Sequence, residues 1–266
     1  MKLTIDHHTQ YHYAETVRHS TQYLRLTPQS SRRQRIVNWE LELPEQATIT
    51  TDGYGNILHV LSMDTPHDMI RIHAHGEVEI LEDENDDLQE TISPLSYLRN
   101  TSLTQITPSI RELMQQHYDA SNQKSSLQAL MEVMLAKMPY TPGGTDVSFT
   151  ADEALSAGKG VCQDHTHVFL ACCRSAGIPA RYVSGYLYSA DTTHVAMHAW
   201  AEAWLDDQWN TFDITNNTCT PNQHLKLAVG MDYLDACPVR GVRFGGGREA
   251  MQAQAAVNLL DVQQQQ

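Results

Sequence analysis

Cys162, His198 and Asp213 are the residues of this chain whose types and order could do covalent chemistry. They sit in the stretches Gly160-Val161-Cys162-Gln163-Asp164, His198-Ala199-Trp200 and Phe212-Asp213. A thiol, an imidazole and a carboxylate, each at the edge of a predicted element, are the parts of an activated cysteine nucleophile. A thiol attacks only as thiolate, and a helix N-terminus favours that anion through its free N–H groups and macrodipole. Val168, Phe169, Cys172, Cys173 and Ala176 fall on one helical face, and Gly177-Ile178-Pro179 supplies a stop, so the spacing predicts that Cys162 opens a buried helix. The free amides of that first turn, the one of Cys162 included, suit the oxyanion of a tetrahedral intermediate. Tyr140 is the candidate for a second oxyanion donor.

The histidine and the aspartate need strands to bring them together. Residues 181–188, 198–205 and 208–213 are rich in aromatic and β-branched types, and Asp206-Asp207 reads as a two-residue turn. Leu205 would then face Gln208, and the ladder would run on until Asp213 faces Trp200. Side chains alternate along a strand, so His198 shares a face with Trp200 and becomes a diagonal neighbour of Asp213, about 7–8 Å away at the backbone. That separation suits a carboxylate accepting from an imidazole N–H. In this arrangement Cys162 attacks an amide carbonyl, His198 takes and later returns a proton, and Asp213 fixes the imidazole tautomer. The thioester so formed could pass to water or to an amine.

Upstream, residues 11–80 read as short strands separated by Pro44, Gly53 and Pro66, the pattern of an antiparallel sandwich or small barrel. The acidic run 82–87 breaks all periodicity and suggests a boundary near residue 90. Two helices are expected before the cysteine, over 110–118 and 126–138. The organisation is therefore a β-rich region over 1–90, an α+β catalytic region over 91–250, and a low-complexity tail over 251–266 expected to fray. The net charge of −14 disfavours nucleic acid and anionic membrane surfaces. No segment has the roughly 20 apolar residues of a membrane span, and no signal-like run opens the chain, so the cytoplasm is the expected location. The five cysteines show no framework spacing, and disulfides are not expected.

The motif Gly160-x-Cys162-x-Asp164-x-x-His167, then His198-Ala199-Trp200, then Asp213-x-Thr215-Asn216, resembles that of the transglutaminase-like superfamily of papain-like cysteine enzymes. The bacterial branch of that family is also similar in Pro139-Tyr140-Thr141-Pro142-Gly143, in Gly177-Ile178-Pro179-Ala180-Arg181-Tyr182-Val183-Ser184-Gly185-Tyr186 and in the segment 224–241. Weaker matches are Tyr11-x-Tyr13 and Asp52-Gly53-Tyr54-Gly55-Asn56. The resemblance implies an α+β papain-like core, in which a helix carrying the cysteine packs on an antiparallel sheet carrying the histidine and aspartate, preceded by a β-sandwich-like domain. It places the cysteine, histidine and aspartate roles on Cys162, His198 and Asp213, and peptidase or amidase activity is what it suggests. Two departures stand out: His165 replaces an aromatic residue, and Ile214 replaces a proline, which would loosen the loop carrying Thr215 and Asn216.

Plainer roles suit the neighbours. Asp164 in the first turn reads as a helix cap, and His167, five residues after Cys162, as a structural support. Trp200 could line the cleft or support the histidine; Trp204 and Trp209 read as core. The pairs His7-His8 and His73-x-His75 lack a third ligand in their local pattern, so neither a metal nor any other cofactor is expected. Gly245-Gly246-Gly247 reads as a turn, not a phosphate loop. The leading function is a cysteine peptidase or amidase acting on a peptide, isopeptide or γ-glutamyl amide. An amine-accepting transglutaminase and a non-catalytic binding module on the same fold are the alternatives. Oligomeric state is not legible.

Overall fold

A computed structural model of the chain describes residues 1–81, 92–190 and 197–260. The N-terminal half is built around one strand, β1 (Lys2–Leu24). Along it Leu3, Ile5, His7 and Thr9 point inward while Asp6 and His8 point to solvent, the period-2 alternation of a half-buried strand. One edge of β1 carries β4 (Ile57–Met63) and β5 (His67–Ile80) end to end, with β3 (Thr48–Thr51) on β4 and β2 (Gln34–Glu42) on β5. All the pairings are antiparallel.

The other edge of β1 corrects the expected organisation. β10 (Val239–Gly245) pairs with Val17–Leu24, and β11 (Glu249–Leu259) pairs with β1 from Leu3↔Leu259 to Tyr13↔Glu249. Residues 251–259, expected as a fraying tail, thus lie in strand, and the region expected to end the catalytic unit returns to the N-terminal sheet. An unpaired edge of this length would leave a row of open N–H and C=O groups. Pairing supplies what the Ala- and Gln-rich sequence lacks in propensity, with Ala255 and Val257 turned into the core. Gly246 and Gly247, at positive φ like Gly245 at the end of β10, lead into β11. The acidic run 82–87, the boundary near residue 90 and residues 261–266 lie outside the described residues.

A second antiparallel sheet has the order β8-β7-β6-β9, from β6 (Ala180–Leu187), β7 (His198–Leu205), β8 (Gln208–Phe212) and β9 (His224–Gly230). Its β7–β8 register is the expected one, from Leu205↔Gln208 to Ala201↔Phe212, across a turn in which Asp206 and Asp207 have φ of 52° and 59°. Two successive positive φ values are the mark of a type I′ hairpin turn. Against this sheet lies α4 (Cys162–Ser175), buried on nearly every side among α1 (Pro108–His117), α2 (Gln123–Lys137) and α3 (Ala151–Ala157). α3 was not expected, although Thr150 and Glu153 form a reciprocal capping box at its start. A four-residue turn of helix, α5 (Tyr233–Ala236), follows β9. The fold is thus α+β, a cysteine-bearing helix on an antiparallel sheet that carries the histidine and leads into the aspartate, with a β-rich N-terminal region.

The two halves share a core: Tyr186, Leu225 and Leu227 of the second sheet pack among Leu3, Ile5, Ile72 and Val78 of the first. Strand β9 is an edge strand of its sheet, and two amide side chains from the N-terminal half close that edge. Gln34 exchanges hydrogen bonds with the N–H and C=O of Lys226 at 2.8 and 2.9 Å. Asn56 does the same with Val229, both at 2.8 Å.

Candidate active site

Cys162 is the first residue of α4 and is half-buried. Its turn is fixed by Asp164, whose carboxylate accepts from Val161 N at 2.8 Å and from Thr145 Oγ1 at 2.6 Å. Gly160 is required beside it, since a Cβ there would lie 2.7 Å from Asp164 Cβ. Tyr140 forms a bridge with Gly160 and so stands next to the thiol. It is half-exposed, and its hydroxyl is raised above its ordinary pKa by burial and by the charge of Cys162.

His198 opens β7 and is 9 % exposed. Its Nε2–H donates to Asp213 Oδ2 at 2.8 Å, which leaves Nδ1 for the thiol of Cys162. Burial works against its charged form, but the hydrogen bonds to Asp213 and Cys162 outweigh burial and raise the imidazole to about 10. The three residues singled out in sequence are therefore brought together in the order thiol, imidazole, carboxylate.

Asp213 is fully buried just beyond β8. Burial alone would raise its carboxyl, yet hydrogen bonds from His198 and His224 hold it well below the usual carboxylate range. Oδ2 accepts from three groups: His198 Nε2 at 2.8 Å, His224 Nε2 at 2.9 Å and Asn216 Nδ2 at 2.7 Å. The N–H of Asn216 reaches Oδ1 at 3.2 Å. His224 is the residue that the sequence reading missed. It opens β9, opposite Leu187 of β6, and only the strand order brings it to Asp213. Burial pushes its imidazole down despite Asp213, so it donates as a neutral ring.

The loop after Asp213 is held, not loosened. Ile214 is 1 % exposed in the core, and Asp213 and Thr218 exchange backbone hydrogen bonds at 2.8 and 3.0 Å. The two departures act together here, because His165 accepts from Thr215 Oγ1 at Nδ1 (2.9 Å) and donates from Nε2 to Met138 O (2.8 Å). Burial lowers the pKa of His165 and keeps it neutral for this role. His167 is directed away from the thiol: its Nε2 accepts from Tyr233 N–H at 3.2 Å, and burial, then the charge of Arg174, pushes it down to about 3.

Trp200 is 1 % exposed and so does not line an open cleft. It packs under the two imidazoles, with ring centroids 6.1 Å from His198 and 4.9 Å from His224. Gly185 makes room for it, since a Cβ would come within 2.7 Å of the indole. Trp204 and Trp209 pair edge-on in a core cluster with Tyr97. The ligand atoms of His198, Asp213 and His224 also lie close enough for a metal ion, but both imidazole Nε2 atoms are already committed as donors to the carboxylate.

Comparison with known proteins bears on this arrangement. Residues 3–79 match the family model of the bacterial transglutaminase-like N-terminal region. Residues 111–214, which contain Cys162, His198 and Asp213, match that of the transglutaminase-like superfamily. An uncharacterized protein of Mycobacterium bovis is 31% identical over 273 residues, covering 90% of this chain and 86% of its own. The chain belongs to the transglutaminase-like superfamily. Another relative, an uncharacterized protein of Mycobacterium leprae, is 28% identical over 269 residues, 92% of this chain and 94% of its own. A crystal structure of a candidate cysteine protease from Cytophaga hutchinsonii has the same fold, with a TM-score of 0.78 and 22% identity over 98% of this chain and 92% of that one. That likeness extends over the N-terminal sheet as well as the cysteine-bearing half. Among the described residues no helix is long and apolar enough to cross a membrane.

Proposed function

We propose that this transglutaminase-like protein is a cysteine-dependent acyl-transfer enzyme that hydrolyses a peptide, isopeptide or γ-glutamyl amide. The observation that carries the reading is the buried Asp213–His198 hydrogen bond with the imidazole's other face on the Cys162 thiol. The Sγ of Cys162 attacks the amide carbonyl, and the oxyanion is met by the N–H of Cys162 and the hydroxyl of Tyr140. The first-turn amide of α4 has no intrahelical carbonyl of its own to bond. His198, protonated while the thiolate forms, delivers its proton to the departing amine, and the C–N bond breaks to leave a thioester. Water, deprotonated by the same imidazole, then attacks the thioester and releases the acid.

The half-buried setting of Cys162 leaves the thioester open to water, the acceptor that hydrolysis requires. A polar subsite next to His198 fits an amide substrate: a cavity of about 440 Å³ lined by Asn216, Thr218, Asn222, Gln223 and His224 among others. Asp164, His165 and Trp200 position the reacting groups. No cofactor takes part in these steps. All five thiols are free, which suits the reducing cytoplasm as the site of action. The experiment is to incubate the protein with amide-bearing peptides, with and without a primary amine, and follow Cys162 and product by intact mass. An acyl adduct on Cys162 that resolves to the free acid, and is lost in Cys162→Ser, supports the hydrolase. An amine-containing product would make it a transferase, and no adduct with any acyl donor would leave recognition as the use of the cleft.

A further inference from the structure

A hollow of about 510 Å³, larger than the polar cavity beside His198, lies where the N-terminal sheet meets the catalytic half. Strand register lays out its floor: His7, Thr9 and Tyr11 of β1 sit opposite Ala255, Ala253 and Met251 of β11. Its other side comes from Met197, the residue before His198, from Tyr233 of α5, and from Pro238 and Val239 where the chain returns to β10. The small residues of β11 have a use in this place. Ala253 and Ala255 turn to the same side as the buried Val257, and their methyl groups leave open the space that larger side chains would fill.

The hollow is built for an apolar occupant. His7 Nδ1 pairs with the Tyr186 hydroxyl at 2.7 Å and its Nε2 with Thr9 Oγ1 at 3.1 Å, so these polar side chains of the floor bond to one another. Burial, then the neighbouring His8 and His73, lower the His7 imidazole to about 4 and keep it neutral. Among the described residues no Asp, Glu, Lys or Arg lines the hollow. A charged group entering it would lose hydration without gaining a partner.

The hollow also stands beside the thiol. Cys162 and Tyr233 pack against the same core cluster. Tyr233 gives its N–H to His167 Nε2 of α4 at 3.2 Å, and its ring centroid lies 6.3 Å from that of Tyr182. Tyr182 in turn is close enough to Cys162 that, after burial, the charge of Cys162 is the largest influence raising its hydroxyl. A peptide whose carbonyl reaches Cys162 can therefore lay a nearby side chain past Tyr233 onto β11.

We propose that this hollow is a specificity subsite that takes a large apolar side chain, aromatic or branched aliphatic, from a residue of the acyl-donor peptide close to the scissile amide. The volume is within the roughly 300–1,000 Å³ usual for sites that enclose small ligands. The inference rests on the peptide-hydrolysis reading above and narrows its substrates to peptides that carry such a residue.

The test presents the full chain with N-acetyl tetrapeptide methylcoumarinyl amides in which Phe, Leu, Lys or Glu stands at one position at a time. At one position Phe and Leu should exceed Lys and Glu by about tenfold or more in kcat/KM. Ala253→Glu, which puts a carboxylate on the wall, should lower kcat/KM for the Phe peptide about tenfold and raise it for the Lys peptide. Gln252→Glu, the same charge on the opposite face of β11, should leave that order as it is. If circular dichroism shows Ala253→Glu misfolded, Met251→Glu at a more exposed place on the same wall reads the same reversal. A flat preference at every position, or an equal loss for all four side chains in the wall variants, overturns the subsite. Calorimetric titration of the same peptides into Cys162→Ser separates this from the reading it rests on. No turnover by the wild type, with tighter binding of Phe and Leu peptides that the wall variants reverse, keeps the subsite and removes peptide hydrolysis. Turnover without the preference removes the subsite alone, and neither turnover nor selective binding removes both.

Discussion

Asp213 Oδ2 accepts from His198, His224 and Asn216 at once, and the charge state of the site depends on that one oxygen. Asp213→Asn keeps the volume but removes the acceptor that holds the His198 tautomer. It should lower kcat/KM on the order of 10³–10⁴-fold, measured on the amide that acylates Cys162. His198 itself is raised from its ordinary 6.5 to about 10. Its protonation therefore stabilises the fold fully below about pH 6.5, and this contribution is lost as pH rises through about 10. Thermal unfolding should show it: the wild type should lose more Tm than His198→Gln between pH 6.5 and 10. Histidine ring NMR at pH 8 should find His198 charged and His165, His167 and His224 neutral, and a neutral His198 would refute the pairing. Much of this was legible because Cys162, His198 and Asp213 each sit in a local motif with a mechanism. His224 was not, for a histidine opening an apolar strand carries no mark of its partner until the order β7-β6-β9 is known.

The β7–β8 hairpin shows why one element was readable and another was not. Two aspartates between aromatic-rich runs fix the loop length, loop length fixes parity, and parity decides whether His198 and Asp213 share a face. Asp207 holds φ 59° in that turn, where glycine is unstrained. Asp207→Gly should stabilise the protein by about 0.5–1 kcal/mol in urea unfolding, with acyl-transfer activity unchanged. β11 had no such signal. Its Ala250, Gln252 and Gln254 have little strand propensity, and only Ala255 and Val257 are buried. It exists because β1 offers it an edge, which is tertiary information. In α3 the Thr150–Glu153 capping box was in plain sight, but seven residues are too few for a helical period to stand out.

For the whole molecule, the N-terminal sheet braces the sheet that carries the chemistry. Gln34 and Asn56 occupy backbone groups at the edge of β9, whose first residue is His224, and the two halves share one apolar core. Asn56→Ala would strand the N–H and C=O of Val229 in a buried setting. It should cost about 2–3 kcal/mol, read as a fall in urea midpoint, and should speed amide exchange along β9 before the rest of the sheet. The buried Arg174 ties the helical layer to the same region through Tyr97 O, Ala180 O and Met231 O. This dependence on the N-terminal half was not visible in the sequence, which read the two halves as separate domains with a tail. The central claim is that His198 activates Cys162. The most direct test is the rate of Cys162 carboxamidomethylation at pH 6.5, resolved from the other four thiols by peptide mapping, in the wild type and in His198→Ala. If His198 activates Cys162, that thiol alone is modified rapidly, and its rate falls at least tenfold in the variant. Equal rates in the two proteins, or an inert Cys162 in both, would contradict it.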